Sequence, residues 1–320
     1  MANTAMLGSL MVPEMEKRGY HWKMSLGPIL GTGGLAMIIP PSTLGVLLAS
    51  LAGVDVGQFL IAGILPGFVL AGLYTGLITL QIWLNPTATP TYEIVTPPFK
   101  EMVMLIIKNI LPMAGVVLLV IGLIIFGIAT PTESAAFGVV SVVILTMAFG
   151  LLNSSVIKKS MLSTIKVGGM VFFIILNSSI FSQLLAYSGA SAGLLNFATA
   201  FEVSTFVMLL LIFISLLIIG MFMDPVSMML ITIPIFFPLI TALGVNPLWF
   251  GLFMLMALEM SQTTPPFGLL LFVMLGVAPK GTTLRQVAIA AAPFLVCDAI
   301  LVALMGLFPS LVLYLPSLMK

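Results

Sequence analysis

Long apolar runs dominate this chain, at roughly 25–53, 58–84, 109–129, 134–152, 161–187, 203–241, 248–277 and 286–308. A helix needs about 20 mostly apolar residues to span the hydrocarbon core of a bilayer. So many runs of that length point to an all-α, polytopic membrane protein embedded in the lipid bilayer. Composition agrees: the chain is 61% hydrophobic and 7% charged, whereas a soluble domain carries about 25% charged residues. A net charge of +1 offers no basic face, so no nucleic-acid partner is expected. One cysteine, Cys297, excludes disulfide frameworks and cysteine-rich metal sites, and one histidine, His21, excludes histidine relays. No P-loop motif is present. No cofactor and no enzymatic activity are expected.

Basic residues fix the expected orientation. Lys17, Arg18 and Lys23 share one connection, as do Lys100 with Lys108, Lys158 and Lys159 with Lys166, and Lys280 with Arg285. Counted span by span, these connections lie on one side and hold all but Lys320 of the 11 basic residues. Asp55, Glu133 and Glu202 lie on the other. The basic side is therefore expected to be cytoplasmic. Residues 99–108 suit either a short interfacial amphipathic helix or an extension of the next span. Pro131-Thr-Glu133 reads as N-terminal capping of a helix.

Three places interrupt the apolar runs. Residues 31–42 read Gly-Thr-Gly-Gly-Leu-Ala-Met-Ile-Ile-Pro-Pro-Ser, 221–227 read Met-Phe-Met-Asp-Pro-Val-Ser, and 259–268 read Glu-Met-Ser-Gln-Thr-Thr-Pro-Pro-Phe-Gly. Glycine and proline at this density are expected to unwind a helix, and unpaired backbone at membrane depth is tolerated only where protein or a water-filled site satisfies it. The interruptions recur in order. Asn3 to Pro13 parallels Asp224 to Pro234, each a polar residue followed ten positions later by a proline that ends an apolar arm. A diproline follows 27 positions after Pro13 (40 − 13) and 31 after Pro234 (265 − 234). By the charge count the two hairpins open to opposite sides. Inverted repeats with discontinuous helices are the plan of secondary transporters with a midplane site.

The runs Gly33-Gly-Leu-Ala-Met-Ile-Ile-Pro-Pro-Ser42, Ala129-Thr-Pro-Thr-Glu-Ser-Ala-Ala136, Gly220-Met-Phe-Met-Asp-Pro225 and Thr264-Pro-Pro-Phe-Gly268 resemble the large (M, or DctM-type) permease subunit of TRAP transporters. So do Val12-Pro-Glu-Met and Gly276-Val-Ala-Pro279. The resemblance runs over essentially the whole chain. It implies an elevator-type, sodium-coupled importer of organic acids in a bacterial or archaeal inner membrane. It also implies a small Q-type membrane subunit and a periplasmic substrate-binding protein as partners. Chains of this family carry a further segment before the position of Met1, so the sequence is expected to begin inside the first hairpin. The expected organisation is one membrane domain, 1–320: part of the first hairpin and a broken helix in 1–53, spans in 54–202, the second hairpin and broken helix in 203–277, and a last span and tail in 278–320.

Sodium is a hard cation and takes oxygen ligands. The expected first ion cluster is Asn3 and Thr4 of the hairpin with Gly33, Gly34, Pro40 and Ser42. The expected second is Asp224 and Ser227 with Thr263 and Thr264. Thr43, Gln262 and Pro265 are expected at the substrate, with Pro41 and Pro266 shaping the breaks and Glu259 orienting the second one or carrying a proton. No Lys or Arg lies within the breaks, so a substrate carboxylate is expected to meet half-helix N-termini, hydroxyls and sodium. Asp298, near the centre of the last span, has no partner evident in the sequence and reads as a protonated or hydrogen-bonded packing residue. The other readings are a symporter of the same plan that needs no binding protein, a non-catalytic scaffold, or an intramembrane enzyme using Asp224 and Glu259. The last lacks any GxGD, HExxH or GxSxG motif. Thr264→Val is expected to abolish sodium dependence, read as uptake rate over a Na⁺ series at constant ionic strength.

Overall fold

The computed structural model describes residues 2–90, 98–189, 193 and 204–319. Glu202 and the middle of the 85–108 connection lie outside these. The described residues are helical, and contacts group the chain into two units, Met1–Tyr92 with Ser178–Pro316 and Glu93–Asn177 with Ser317–Lys320, where one domain was expected. Six of the described helices are long and apolar enough to cross a membrane, or seven when the pair Trp22–Ile38 and Thr43–Ala52, bent by 42°, counts as one span.

The first unit is built from α1 (Ala2–Lys17), α2 (Trp22–Ile38), α3 (Thr43–Ala52), α4 (Val56–Ala62) and α5 (Ile64–Leu84). In the second unit, α6 (Phe99–Leu105) runs through a π turn at Ile106–Ile110 into α7 (Leu111–Ile125), followed by α8 (Pro131–Ala148) and by α9 (Ser154–Tyr187), whose residues from Ser178 onward belong to the first unit. Residues 99–108 are thus an extension of the span, not a separate interfacial helix. Thr130 and Glu133 form the expected cap, each side chain accepting from the other's backbone N–H. The first unit resumes with α10 (Thr205–Gly220), α11 (Pro225–Ala242), α12 (Pro247–Thr263), α13 (Leu269–Val277), α14 (Leu284–Leu307) and α15 (Ser310–Ser317).

Two expectations about helix ends fail. Pro13 lies inside α1, which continues to Lys17, and Pro234 lies inside α11, which continues to Ala242. One proline removes a single donor, and buried packing around Val12 and Pro234 holds the flanking turns together. Likewise α2 stays helical through Gly31, Gly33 and Gly34 and breaks only after Ile38. Each glycine weakens a helix by about 1 kcal/mol, but here neighbours occupy the space that side chains would fill. A Cβ on Gly27 would meet the Phe294 ring at 2.8 Å, and one on Gly31 would collide with the same ring. A Cβ on Gly34 would collide with the Glu259 carboxyl. The spacing 27, 31, 34 is one face of a helix, and α14 and α12 lie against it.

The packing pairs also reveal the repeat. Exchanging α1, α2, α3 and α5 with α11, α12, α13 and α14 maps several observed pairs, though not all, onto observed pairs. The pair α1 with α13 becomes α11 with α3, α2 with α13 becomes α12 with α3, and α2 with α5 becomes α12 with α14. Each hairpin arm therefore packs on the distal half of the other copy's broken helix, and the diproline peptide is cis in both copies.

Gly34→Val is expected to force α2 off α12 and cost about 1–3 kcal/mol, as overpacking does. Gly72→Ala, inside α5 where nothing lies within 4 Å of the added Cβ, should instead gain about 0.5–1 kcal/mol from helix propensity. Thermal melts of both variants in detergent compare them.

Candidate functional site

Proline supplies no N–H, so each diproline strips helical partners from the carbonyls four residues earlier. At the first break these are Ala36 and Met37, and at the second Ser261 and Gln262. Two of the four are recaptured. The Ser42 hydroxyl donates to the Met37 carbonyl and accepts from the Gly45 N–H, capping α3. The Ser261 carbonyl accepts the Thr264 N–H at 3.4 Å. The carbonyls of Ala36 and Gln262 keep no helical partner. At the position matching Ser42 (42 + 225 = 267), the second copy has Phe267, which carries no hydroxyl.

The first expected cluster is only partly assembled. Thr4 is fully buried, its hydroxyl lies 2.7 Å from where a Cβ on Gly33 would be, and that hydroxyl has no hydrogen-bond partner among the described residues. Asn3, by contrast, is exposed. Gly33 and Gly34 leave the ion set, because their carbonyls are spent inside an intact helix and their faces are filled by Thr4 and Glu259. Pro40 is buried, whereas Pro41 and Thr43 are exposed at the break. Ser42 is buried and already engaged as a cap.

At the second break, Gln262 is fully buried and both ends of its amide lack partners among the described residues. Thr263 and Thr264 are one residue apart, and both hydroxyls donate to the Met260 carbonyl, at 3.1 and 2.6 Å. Their lone pairs remain available as acceptors. Pro265 and Pro266 are exposed. Asp224 caps α11, accepting from the N–H groups of Val226 and Ser227 and from the Ser227 hydroxyl. The hairpin tip reaches this break through Phe222, whose ring centroid lies 5.2 Å from that of Phe267, and through Gly220, which faces Ser261. No hydrogen bond joins Asp224 or Ser227 to Thr263 or Thr264 among the described residues.

Glu259 and Asp298 are each 1% exposed. Asp298 does have partners: the Tyr74 hydroxyl donates to it at 2.5 Å, and Glu259 lies within hydrogen-bonding reach. Tyr74 escaped the sequence reading. Its one signal is a phenol in mid-span, since a buried hydroxyl of this kind usually finds an acceptor.

Two discontinuous helices, interlaced hairpin arms and polar side chains without partners at the breaks describe a transporter core. The family model for the DctM component of tripartite ATP-independent periplasmic transporters matches residues 1–311. The chain belongs to this family. It is similar to the C4-dicarboxylate TRAP transporter large permease protein of Pseudomonas aeruginosa, with 32% identity over 99% of this chain and 73% of that one. It is also similar to the ectoine TRAP transporter large permease protein of Halomonas elongata, with 28% identity over 99% and 73%. The crystal structure of the Alcanivorax borkumensis YdaH transporter, described as having an unusual topology, shares the fold. Its TM-score is 0.52 at 14% identity, covering 95% of this chain and 83% of that one. The chain is therefore a multi-pass membrane permease subunit of a solute-uptake system.

Removing an unpaired buried polar atom is neutral or stabilising when nothing binds it. In ion-free buffer, Thr4→Val is expected to melt at or above the parent temperature. Gln262→Met should gain about 1–3 kcal/mol, the usual penalty for such a group. A lower melting temperature in either variant would show that the group already has a partner.

Proposed function

We propose that this permease imports an organic acid (a C4-dicarboxylate, keto acid or sugar acid) against its gradient by coupling its entry to sodium, without catalysing any covalent step. Its setting is the inner membrane of a bacterium or archaeon. A periplasmic binding protein delivers the substrate, and a small Q-type membrane subunit is the second partner. The observation that carries this reading is the pair of polar groups without partners, one beside each broken helix: the Thr4 hydroxyl and the Gln262 amide. Groups left unsatisfied at such cost are characteristic of sites completed by a ligand.

The breaks supply oxygen and no basic side chain. Thr4 and the Ala36 carbonyl are the first ion donors. Thr263, Thr264 and the Gln262 carbonyl are the second, with Asp224 and Ser227 at the hairpin tip. A bound cation at either break would offset the cost of bringing a carboxylate to mid-membrane depth. The solutes named for the two relatives, a C4-dicarboxylate and ectoine, both carry carboxylates, which favours an acid as substrate.

The purified chain is expected to melt higher in NaCl than in KCl at equal ionic strength. A ligand that binds only the folded state stabilises it by about 2.7 kcal/mol at a hundredfold excess over Kd. Equal melting temperatures in the two salts would remove sodium from the proposal. Uptake in proteoliposomes that proceeds without any binding protein would remove the partner.

A further inference from the structure

The two broken helices meet at residues that correspond under the repeat. Pro40 and Pro265 are 225 positions apart (265 − 40), and so are Gly34 and Glu259 (259 − 34). The Glu259 carboxyl fills the space that a Cβ on Gly34 would need. Tyr74 and Asp298, whose separation of 224 positions (298 − 74) falls one short of that offset, are joined by a hydrogen bond beside this contact. Residues that correspond under an internal exchange and also touch each other lie on its axis. One cluster therefore sits where the two copies meet, and it is chemically lopsided. The first copy contributes a glycine and a phenol, and the second contributes two carboxyl groups.

Both carboxyl groups are buried to 1% exposure and lie within hydrogen-bonding reach of each other. Tyr74 donates to Asp298, and Oε2 of Glu259 has no partner among the described residues. The ionisable groups facing the pair are Tyr74 from α5 and Cys297 beside Asp298 on α14, while α2 presents Gly34. The helical residues of α3, α4, α10, α11 and α13, which also pack on α12, include no ionisable side chain. The basic residues on the other packed helices, Lys23 and Arg285, lie 11 and 13 residues from Gly34 and Asp298 (34 − 23 and 298 − 285). At 1.5 Å per residue that is about 16 and 20 Å along the helix. Among the described residues of the helices packed on α12 and α14, no cation reaches the pair. Two carboxylates in one buried site do not both ionise, and a hydrogen bond between two carboxyl groups requires one proton.

We propose that Glu259 and Asp298 together form a binding site for one exchangeable proton, on the axis that relates the two copies. The proton bridges the two carboxyl groups, and the Tyr74 hydroxyl holds Asp298 in place. Leaving the site, it would set two negative charges against each other between α12 and α14, where α2 and α5 also meet. The site is separate from the diproline breaks, so it stands whether or not sodium binds there.

Infrared spectroscopy of the full chain in lipid nanodiscs at neutral pH tests this. The wild type is expected to show the carbonyl stretch of a protonated carboxyl group, shifted in D₂O. Glu259→Gln and Asp298→Asn should each lose it, and Glu133→Gln, at an exposed cap, should keep it. Circular dichroism checks that each amide variant keeps its helix content, and the wild-type band stands without them. A wild-type spectrum with no such band overturns the proposal, as does a band that survives both amide variants. A band seen only after sodium is removed also overturns it, in favour of a metal cation between the carboxylates.

Discussion

The close approach of neighbours to the glycine face of α2 is the constraint on which the rest of the first unit depends. Phe294 enters over Gly27 and Gly31 and Glu259 over Gly34, while Thr4 meets Gly33 on another side of the same helix. In a bilayer, lipid tails are as apolar as leucine, so helices are held together by close packing and hydrogen bonds rather than by the hydrophobic effect. Glycine provides that closeness by bringing backbones and buried side chains into direct contact. It costs the isolated helix some intrinsic stability, which the packing around it returns. The same glycines that would break a solitary helix are the ones that assemble this core.

That closeness has a second consequence. Packing side chains against backbone leaves little room for water, so polar groups in the core must pair with one another or remain unsatisfied. Tyr74 and Asp298 pair. Ser42 and the Met37 carbonyl pair. Thr4, Gln262 and one oxygen of Glu259 do not. Among the described residues of the first unit these unpaired groups fall in two kinds of place, beside the diproline breaks and on the axis between the repeats, while the Ser134 hydroxyl of the second unit is a further buried one. The breaks are what an oxygen-ligated ion would use, and the axis is where two acids need a proton.

The repeat was legible because proline is unambiguous. A diproline in an apolar run, an upstream arm and an opposite charge count are all local or countable features, and the paired packing of α1 with α13 and α11 with α3 matches them. The limits of each element were less legible. Pro13, Pro234 and the 31–34 glycines each read as helix ends, yet each lies inside a helix. Local propensity is a weak prior once a neighbouring helix contributes packing. The candidate ligands divide in the same way. Thr4 and Gln262 are buried beside the breaks as expected, but Asn3 points outward and the Gly33 and Gly34 carbonyls are occupied.

Hydropathy and the order of the motifs were enough to establish a polytopic transporter with two broken helices, because spanning a bilayer demands apolar length and proline removes a backbone donor wherever it stands. Which side chains meet was settled only by tertiary packing. Glu259 and Asp298 are 39 positions apart (298 − 259), and Tyr74 is 224 from Asp298. No periodicity along one helix reports a contact across four of them. Their meeting follows from where α2, α5, α12 and α14 cross, and that crossing is set by the absence of a side chain at Gly34.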